Sequence, residues 1–551
     1  MRKALALLYI TNIHQKPMRK SVRHIINRIN KQRSISVAAV LISLSYLSSR
    51  LLGLVRDRLL ASNFGLSAQT DAYSAAFRIP DLLFTLLVSG AFAVSFIPVF
   101  VGYIERKKID EAWEVASTVL NFIILLAIGL GLAAAIWTEP LVRIIAPGFD
   151  PERFHLTVNL TRIMLITPLL FGISSVLGAI QQSFQRFILF ALASVFYNVG
   201  IIFGIVFFEQ FFQVPIYGVA LGVVAGTALQ SVMQTVGVLG LGFRYKFSLN
   251  LRHPAVGRIF KLMVPRSLDL GLEQINIIVE TAIGSQLAAG SLTSYYFANN
   301  LKNVPLGLFG GAISTAVFPS LIRAAKSKDR SKLPAQIVQT IRFVLFFVLP
   351  SAAIAIIMRG YIVRLLLGFG DQTTADVLGW LAGVIVAQSV FFVVARIFYA
   401  LEDTKTPLFT SLLTLGLNIL LSYGLSKEYG VLGLAMALSL VTMLELGFLL
   451  LLLRRKLGSF GLRHIVRGGM RMFVASTAMA GVMYVLITNF FPLFRDERGW
   501  RVLAPKFFVV SVIGLFAYAL VCWLLRLDEI RTVIRYTQRK YLSRLRRNIG
   551  A

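Results

Sequence analysis

Four arginines lie inside or at the edge of strongly hydrophobic stretches near the start of the chain. Arg50, Arg56 and Arg58 belong to the apolar run 35–65, and Arg78 lies early in the next run. A charge near the centre of a bilayer costs at least about 2.5–3.5 kcal/mol on insertion scales, so such residues usually face a polar cavity or a partner. Cations around a cavity inside a membrane indicate an anionic ligand that enters or crosses the bilayer.

A second set of charges, Asp269, Glu273 and Glu280, lies in the seventh hydrophobic run. At 100° per residue these three carboxylates fall within roughly 40° of one another on a helix. Carboxylates on one face of a membrane helix favour a cation site, a proton relay or partners for the arginines. Asn418 in the eleventh run would add a neutral oxygen ligand. Buried ion pairs between two halves of the chain explain these charges equally well, and Lys302 in the eighth run has the same two interpretations.

The composition is typical of a membrane protein with many spans. Of the 551 residues, 57% are hydrophobic and 15% are charged, whereas a soluble protein is about half apolar and roughly a quarter charged. The net charge of +31 does not indicate nucleic acid, because Lys and Arg gather in alternate connections as the positive-inside rule predicts. The single cysteine, Cys522, excludes an intrachain disulfide, and the five histidines have no metal-ligand spacing. We therefore expect no metal site built on cysteine or histidine, and no cofactor apart from the coupling monovalent cation that the carboxylates leave open.

The elements that must position these charges are membrane-spanning helices. Apolar runs long enough to cross roughly 30 Å of hydrocarbon recur along the chain, which predicts an all-α polytopic membrane protein with about 14 transmembrane helices. The alternating basic loops place both termini in the cytoplasm. The predicted spans are 35–65, 72–101, 112–138, 156–184, 188–208, 216–242, 258–288, 294–322, 335–358, 375–401, 407–426, 430–453, 467–490 and 502–525.

A weak internal repeat predicts how the spans are organised. The segment Gly90 to Pro98 in the second span is echoed by Gly311 to Pro319 in the eighth, and we call the separation between Gly90 and Gly311 the repeat interval. A shift by six spans keeps the direction of crossing, so the repeat is parallel, although small residues at helix interfaces also match by chance. We expect two six-helix lobes and two C-terminal helices. The predicted parts are a basic cytoplasmic arm, an N-terminal lobe, a C-terminal lobe, spans 13 and 14, and a basic cytoplasmic tail, at 1–34, 35–245, 246–455, 456–525 and 526–551.

Several stretches of the sequence resemble the MurJ/MviN family. SSRLLGLVRD at 48–57, TDAYSAAFRIPDLL at 70–83 and GAFAVSFIP at 90–98 are similar to its N-terminal signature, and APGF, QRF and DTKTP follow further along. The similarity covers most of the chain. Members of this family belong to the multidrug/oligosaccharidyl-lipid/polysaccharide exporter superfamily and have 14 helices in two lobes. They flip lipid II, the undecaprenyl-pyrophosphate-linked precursor of peptidoglycan.

The resemblance also implies which residues line the substrate cavity. In the first span the matching positions are Ser49, Arg50, Gly53 and Arg56. In the second span they are Asp71 and Arg78, and before the eighth span Thr293 is a matching small hydroxyl residue. The chain departs from the family at Phe84 and Asn300, where members commonly have arginine, and at Ser89, where they have an acid; Lys302 is the nearby cation that would compensate. The candidate substrate-binding residues are Ser49, Arg50, Gly53, Arg56, Asp71, Arg78, Thr293, Asn300 and Lys302.

Together these features predict an alternating-access flippase that moves lipid II to the outer leaflet of the bacterial inner membrane for cell wall synthesis. We expect it to be a monomer whose partners are the anionic lipid-linked glycan and membrane lipids, with no nucleic acid. It would be driven by the membrane potential or a coupling monovalent cation. Without a GxxxxGK[ST] loop or a catalytic constellation in a loop, it is not expected to be an enzyme. The alternatives are a flippase for another lipid-linked oligosaccharide, a cation-coupled drug exporter of the same superfamily, and a non-transporting scaffold.

Overall fold

The described part of the chain is helical throughout, as the sequence predicts. The computed structural model describes residues 35–87, 91–327, 332–494, 497 and 499–531, and within these ranges no strand occurs. Twelve helical segments of this part are long and apolar enough to cross a membrane. The predicted arm at 1–34, Ser89 and residues 532–551 of the predicted tail lie outside the described residues.

The chain divides into two compact units between Ala282 and Ile283. The first unit contains α1 Ile35–Phe64, α2 Ala68–Ala76, α3 Arg78–Leu87, α4 Ala91–Glu105, α5 Ile109–Ile136, α6 Thr138–Ile145, α7 Pro151–Met164, α8 Thr167–Ser183, α9 Ile188–Val206, α10 Ile216–Leu239 and most of α11 Pro254–Gly284. The second contains α12 Ser291–Pro305, a π-helical turn Leu306–Gly311, α13 Ala312–Lys326, α14 Lys332–Ile357, α15 Arg359–Leu367, α16 Gln372–Ala400, α17 Lys405–Tyr429, α18 Val431–Leu457, α19 Leu462–Asn489 and α20 Trp500–Leu524. The predicted lobe boundary at 245/246 stays a prediction.

Helices α1 and α11 correspond to the first and seventh predicted spans and are not among the twelve apolar segments. They contain 30 and 31 residues, which at 1.5 Å per residue is about 45 Å and enough to cross the hydrocarbon. Both carry the charged residues that suggested a site. The other twelve predicted spans coincide in order with the twelve apolar segments, and the total of 14 depends on these two more polar helices.

The helix boundaries recur at the repeat interval that the sequence predicts. Helices α4, α6 and α7 each begin one repeat interval before α13, α15 and α16. Asp150 and Asp371, which are separated by the same interval, cap α7 and α16, because each side chain accepts a hydrogen bond from the N–H three residues further on, at 2.9 and 2.5 Å. The packed helix pairs correspond as well. In the first unit they are α4–α8, α5–α8, α8–α10 and α9–α10. In the second unit the corresponding pairs, in the same order, are α13–α16, α14–α16, α16–α18 and α17–α18. These correspondences support the parallel repeat.

Glycines bring α9 and α10 into direct backbone contact. A Cβ atom placed on Gly204 would lie 2.5 Å from the Cα atom of Gly222, and Gly200 meets Gly226 in the same way. The four-residue spacing of small residues is a common means of close approach between membrane helices. Helix α1 packs against α9 of this helix pair.

The two C-terminal spans pack on the second unit. Helix α19 lies against both α14 and α20, around a buried cluster that includes Met472, Met479 and Tyr518. The Tyr518 hydroxyl donates a hydrogen bond to the carbonyl oxygen of Phe346 in α14 at 2.9 Å. Within the second unit, apolar packing and a buried hydrogen bond therefore hold spans 13 and 14 against α14.

Candidate functional site

Helix α1, which carries three of the four arginines, is held against α9 by a polar contact. The side-chain amide of Asn198 donates to the Ser49 hydroxyl at 3.1 Å and to the Ser49 carbonyl oxygen at 3.3 Å. The Ser49 hydroxyl in turn donates to the carbonyl oxygen of Ser194 at 3.2 Å. A Cβ atom on Gly53, one turn later, would lie 3.7 Å from Asn198 Oδ1. Ser49 and Gly53 thus form the surface of α1 that contacts α9, and their substrate-binding role stays a prediction.

Arg50 lies on a different side of α1 and its side chain is exposed. It follows Ser49, so its side chain is rotated by about 100° from the contact with α9. It also lies about 15 residues, or roughly 22 Å, from the start of α1 at Ile35. The structure therefore presents one guanidinium at depth in a predicted span, on a face of α1 that α9 does not cover.

Arg56 and Asp57 form a desolvated ion pair near the end of α1. The Nε and Nη2 atoms of Arg56 donate to Asp57 Oδ1 at 3.0 and 2.7 Å, and the two side chains are 17% and 3% exposed. A carboxylate this buried needs a cationic partner, because an unpaired buried charge destabilises the folded protein strongly. The pair fixes the orientation of the Arg56 guanidinium, which then contributes a directed rather than a mobile cation.

Asp71 and Arg78 come from the two short helices that follow. Asp71 is buried in the first turn of α2, which begins with a capping box in which the Ser67 N–H donates to the Thr70 hydroxyl at 2.9 Å. Arg78 opens α3, and its Nε atom is buried without a hydrogen-bond acceptor in the described part of the chain. A buried donor without an acceptor costs roughly 1–3 kcal/mol. Arg78 therefore retains a hydrogen-bonding demand that an anion would meet.

One departure from the family pattern has a clear structural consequence. The Phe84 ring lies 5.1 Å from the Phe171 ring, centroid to centroid, and packs against a buried apolar cluster that includes phenylalanines of α4. An aromatic side chain at this position adds to the apolar core of the first unit, whereas an arginine would need a polar environment. Apolar packing thus occupies the position where the resemblance implied a cation.

The candidate cation ligands are spread along two helices. Glu280 of α11 is buried and accepts a hydrogen bond from the Asn276 amide at 2.9 Å, while Glu273 is exposed. Glu273 and Glu280 are separated by about 10 Å along the helix axis; the Asp269 side chain lies outside the described residues. In the second unit, Asn418 of α17 is buried and its Oδ1 atom accepts from the Ser422 hydroxyl at 3.4 Å. Their role in coupling stays a prediction.

The remaining candidates belong to α12 in the second unit. Thr293 is fully buried, Lys302 is 5% exposed and Asn300 is half-buried. Helix α12 ends at Pro305, where the chain enters the π-helical turn Leu306–Gly311. A wide helical turn of this kind frequently marks a functional position. Lys302 is therefore a cation in the unit interior, one turn before a backbone irregularity.

Two functional candidates were not identified from the sequence. Asn198, which positions α1, is the single side-chain amide in the apolar run 188–208. A lone amide in such a run indicates a polar contact between helices, so the sequence did contain a signal for it. Arg396 is a cation inside the predicted span 375–401; its guanidinium carbon lies 5.8 Å from the centre of the Phe318 ring, and its Nη1 atom is buried with no hydrogen-bond acceptor among the described residues. Arg396 gives the second unit a cation on α16, the helix against which α12 packs.

These units have the fold of a known class of membrane transporters. A solved inward-facing structure of a multidrug resistance MATE family transporter of the MOP superfamily has a TM-score of 0.62 at 15% identity, covering 77% of this chain and 98% of that one. A solved lipid II flippase MurJ in an inward closed conformation has a TM-score of 0.73 at 23% identity, covering 89% of this chain and all of that one. At these identities the likeness concerns the fold alone.

The family follows from the sequence comparisons. Residues 60–495 match the family described as lipid II flippase MurJ. A probable lipid II flippase MurJ of Buchnera aphidicola subsp. Acyrthosiphon pisum is 34% identical over 431 residues, which is 76% of this chain and 82% of that protein. The lipid II flippase MurJ of Burkholderia cenocepacia is 30% identical over 467 residues, with 81% and 88% covered. The chain belongs to the MurJ family and is a multi-pass membrane protein.

Proposed function

We propose that this protein is a flippase that moves lipid II from the cytoplasmic to the outer leaflet of a bacterial cell membrane, where it supplies peptidoglycan synthesis. Membership of the MurJ family supports this function, and two relatives at 34% and 30% identity are named for it. Translocation of an intact lipid breaks no covalent bond, so the proposed activity is transport and not enzymatic catalysis.

The observation that carries the proposal is the exposed position of Arg50 at depth in α1. A guanidinium at this depth requires polar surroundings, because hydrocarbon cannot solvate the charge. Arginine also presents a planar fork of N–H groups that matches phosphate oxygens. A lipid that carries a pyrophosphate has the charge and the geometry that such a group recognises.

In the proposed mechanism, Arg50, Arg56 and Arg78 hold the pyrophosphate by charge-assisted hydrogen bonds. The Asn198 amide keeps the face of α1 in register, and Asp57 orients Arg56. The polyprenyl chain remains in the bilayer while the headgroup passes through a polar chamber that opens to one side at a time. Thr293, Asn300 and Lys302 stay candidate contacts for the headgroup.

The driving force follows from the charge of the cargo. An inside-negative potential favours the outward movement of an anion by about 2.3 kcal/mol per charge per 100 mV. The potential alone is therefore sufficient to bias export, and a monovalent cation held by Glu273, Glu280 or Asn418 would add coupling. We further propose that the protein acts as a monomer with both termini in the cytoplasm, as the basic loops favour.

Complementation tests this function. The full chain is expressed in a bacterium whose own lipid II flippase can be depleted, and growth and cell shape are followed after depletion. We expect the wild-type chain to sustain growth, the Arg50→Ala variant to fail, and the Arg58→Ala variant, changed near the end of the same helix, to succeed. Lysis with the wild-type chain present in the membrane at normal abundance contradicts the proposal.

A further inference from the structure

The second unit contains a large cavity that the proposed transport does not use. Its volume is 1120 Å³, and it lies between the start of α14, the end of α18, the start of α19 and the segment that follows α20. These four helix ends adjoin connections, or the C-terminal tail, that are rich in Lys and Arg. Four side chains that line the cavity carry or can carry positive charge, namely Arg342, Arg454, Arg463 and His464.

A partly buried ion pair lines the cavity. The Nε and Nη2 atoms of Arg342 donate to the two carboxylate oxygens of Glu529 at 2.6 and 3.0 Å, and Asp528 lies 3.8 Å from Nη2. Gly468 makes room for this guanidinium, since a Cβ atom there would lie 2.8 Å from Arg342 Nε. The Glu529 carboxylate is therefore engaged with Arg342, which attaches the segment after α20 to α14, whereas the Asp528 side chain is 78% exposed.

Three exposed groups of the cavity lining carry or can carry positive charge, against one exposed carboxylate, that of Asp528. The three are Arg454, Arg463 and His464, which we call the rim of the cavity. Helix α19 begins beside them, after Gly461, whose φ of 90° is left-handed, and no side chain caps this helix end. The first N–H groups of the helix and its dipole add positive potential at the same place. Together these groups favour an anion with several oxygen acceptors, such as a phosphate.

An apolar surface continues from the cavity along α19. Val466 lines the cavity and is 55% exposed, and Met470 and Phe473, four and seven residues later, are 58% and 55% exposed. Residues at this spacing share one face of a helix. A lipid whose headgroup binds at the rim can therefore place an acyl chain along this apolar face of α19. A free phosphate ion has no acyl chain and would leave the face uncovered.

We propose that this cavity binds an anionic glycerophospholipid, with the phosphate and headgroup at Arg454, Arg463 and the start of α19, and one acyl chain along Val466, Met470 and Phe473. Because the bound lipid would contact α18, α19 and the segment held by Arg342, it would stabilise the attachment of the two C-terminal helices to the second unit. This site is separate from the arginines of α1 and does not depend on the proposed transport function.

Native mass spectrometry of the purified full chain in detergent tests this assignment. The probes are phosphatidylglycerol, phosphatidylcholine with the same acyl chains, and inorganic phosphate. The test variant is Arg454→Gln/Arg463→Gln. The matched control is Arg455→Gln/Arg467→Gln, which removes two exposed arginines from the same two helices, outside the cavity lining. Both pairs are exposed, so folding should be retained, and circular dichroism checks this.

We expect the wild-type chain and the control to retain phosphatidylglycerol in preference to phosphatidylcholine. The test variant should bind it about tenfold to thirtyfold more weakly, since each basic residue contributes roughly 1 kcal/mol to the attraction of an anionic lipid. Equal retention by the test variant and the wild-type chain overturns the site. Equal retention of the two lipids, or displacement of phosphatidylglycerol by an equal concentration of inorganic phosphate, overturns the assignment to an anionic lipid.

Discussion

The Asn198 amide donates a hydrogen bond to the Ser49 hydroxyl, 3.1 Å away, and so connects the helix that carries the arginines to the most closely packed helix pair of the first unit. The two residues lie 149 positions apart in the chain. Because Arg50 directly follows Ser49, this contact sets the rotation of α1 and hence the direction of the Arg50 side chain. Substrate recognition on α1 is thereby coupled to packing against α9.

Replacement of Asn198 by alanine should reduce transport more than it reduces stability. Interhelical hydrogen bonds within membranes contribute about 0.6 kcal/mol on average, and at most roughly 1.7 kcal/mol, so the purified variant should unfold only a few degrees lower. Transport should fall severalfold, because α1 is free to rotate. Asn159→Ala, which removes an exposed amide bonded to Tyr217, is the control; an equal transport defect in both variants contradicts a positioning role for Asn198.

The pair formed by Arg56 and Asp57 should show strong coupling in a double-mutant cycle. Arg56→Ala takes away a cation from a carboxylate that is only 3% exposed, so it should destabilise the protein more than Arg56→Ala/Asp57→Asn does. Coupling energies for residues in contact are roughly 0.5–3 kcal/mol. Thermal unfolding of the purified variants measures this. Additive effects of the two changes would show that the pair does not act as a unit. Transport should be lost in both variants that lack Arg56.

Gly204→Ala should destabilise the first unit. Its new Cβ atom would lie 2.5 Å from the Gly222 Cα atom, so α9 and α10 must separate, and overpacking of this kind costs typically about 1–3 kcal/mol. Gly129→Ala in α5 is the control, since a Cβ atom there meets nothing within 4 Å. Thermal unfolding temperatures should fall for the first variant and hold or rise for the second; a reversed order is incompatible with the packing described.

Asp403, in the loop before α17, should make stability depend on pH. Partial burial opposes ionisation, but the Lys456 ammonium at 2.5 Å and the Thr406 N–H and hydroxyl outweigh it and lower the pKa of Asp403 from 3.8 to about 2. A lowered folded-state pKa means that this contribution is fully present above pH 3.8 and is lost as the pH falls toward 2.

The difference in unfolding temperature between the wild-type chain and Asp403→Asn should therefore shrink over that pH interval. Glu428→Gln, at the exposed end of α17, corrects for general acid effects. A difference that stays constant from neutral pH down to the acid limit would mean that the Asp403–Lys456 contact does not stabilise the loop.

Most of the fold could be predicted because hydrophobic runs report directly on membrane spans. Twelve predicted spans coincide with apolar helical segments, and the echo between Gly90 and Gly311 indicated the interval at which helix starts recur. Helices α6 and α15 were not predicted, since eight and nine residues are too few to form a hydropathy signal. The turn at Phe77, between α2 and α3, lies three residues before Pro80, whereas no sequence pattern predicts the π-helical turn Leu306–Gly311.

The site was predictable only as a set of residue types. Charges in apolar runs identified Arg50, Arg56 and Arg78, yet their partners depend on packing between distant segments. Nothing local predicts that Asn198 meets Ser49, or that Glu529 reaches Arg342, because both contacts need the three-dimensional arrangement of helices. A family resemblance also could not show that Phe84 joins the aromatic core with Phe171.

Translocation of lipid II in reconstituted vesicles tests the central claim most directly. The purified chain is incorporated into vesicles whose lipid II is confined to the inner leaflet, and a membrane-impermeant reagent measures its arrival outside, with and without an inside-negative potential. Each charged hydrogen bond to the pyrophosphate is worth roughly 1.5–3 kcal/mol, so Arg50→Ala should slow transfer by at least about tenfold, whereas Arg58→Ala should match the wild-type chain. Transfer by Arg50→Ala at the wild-type rate would contradict the account.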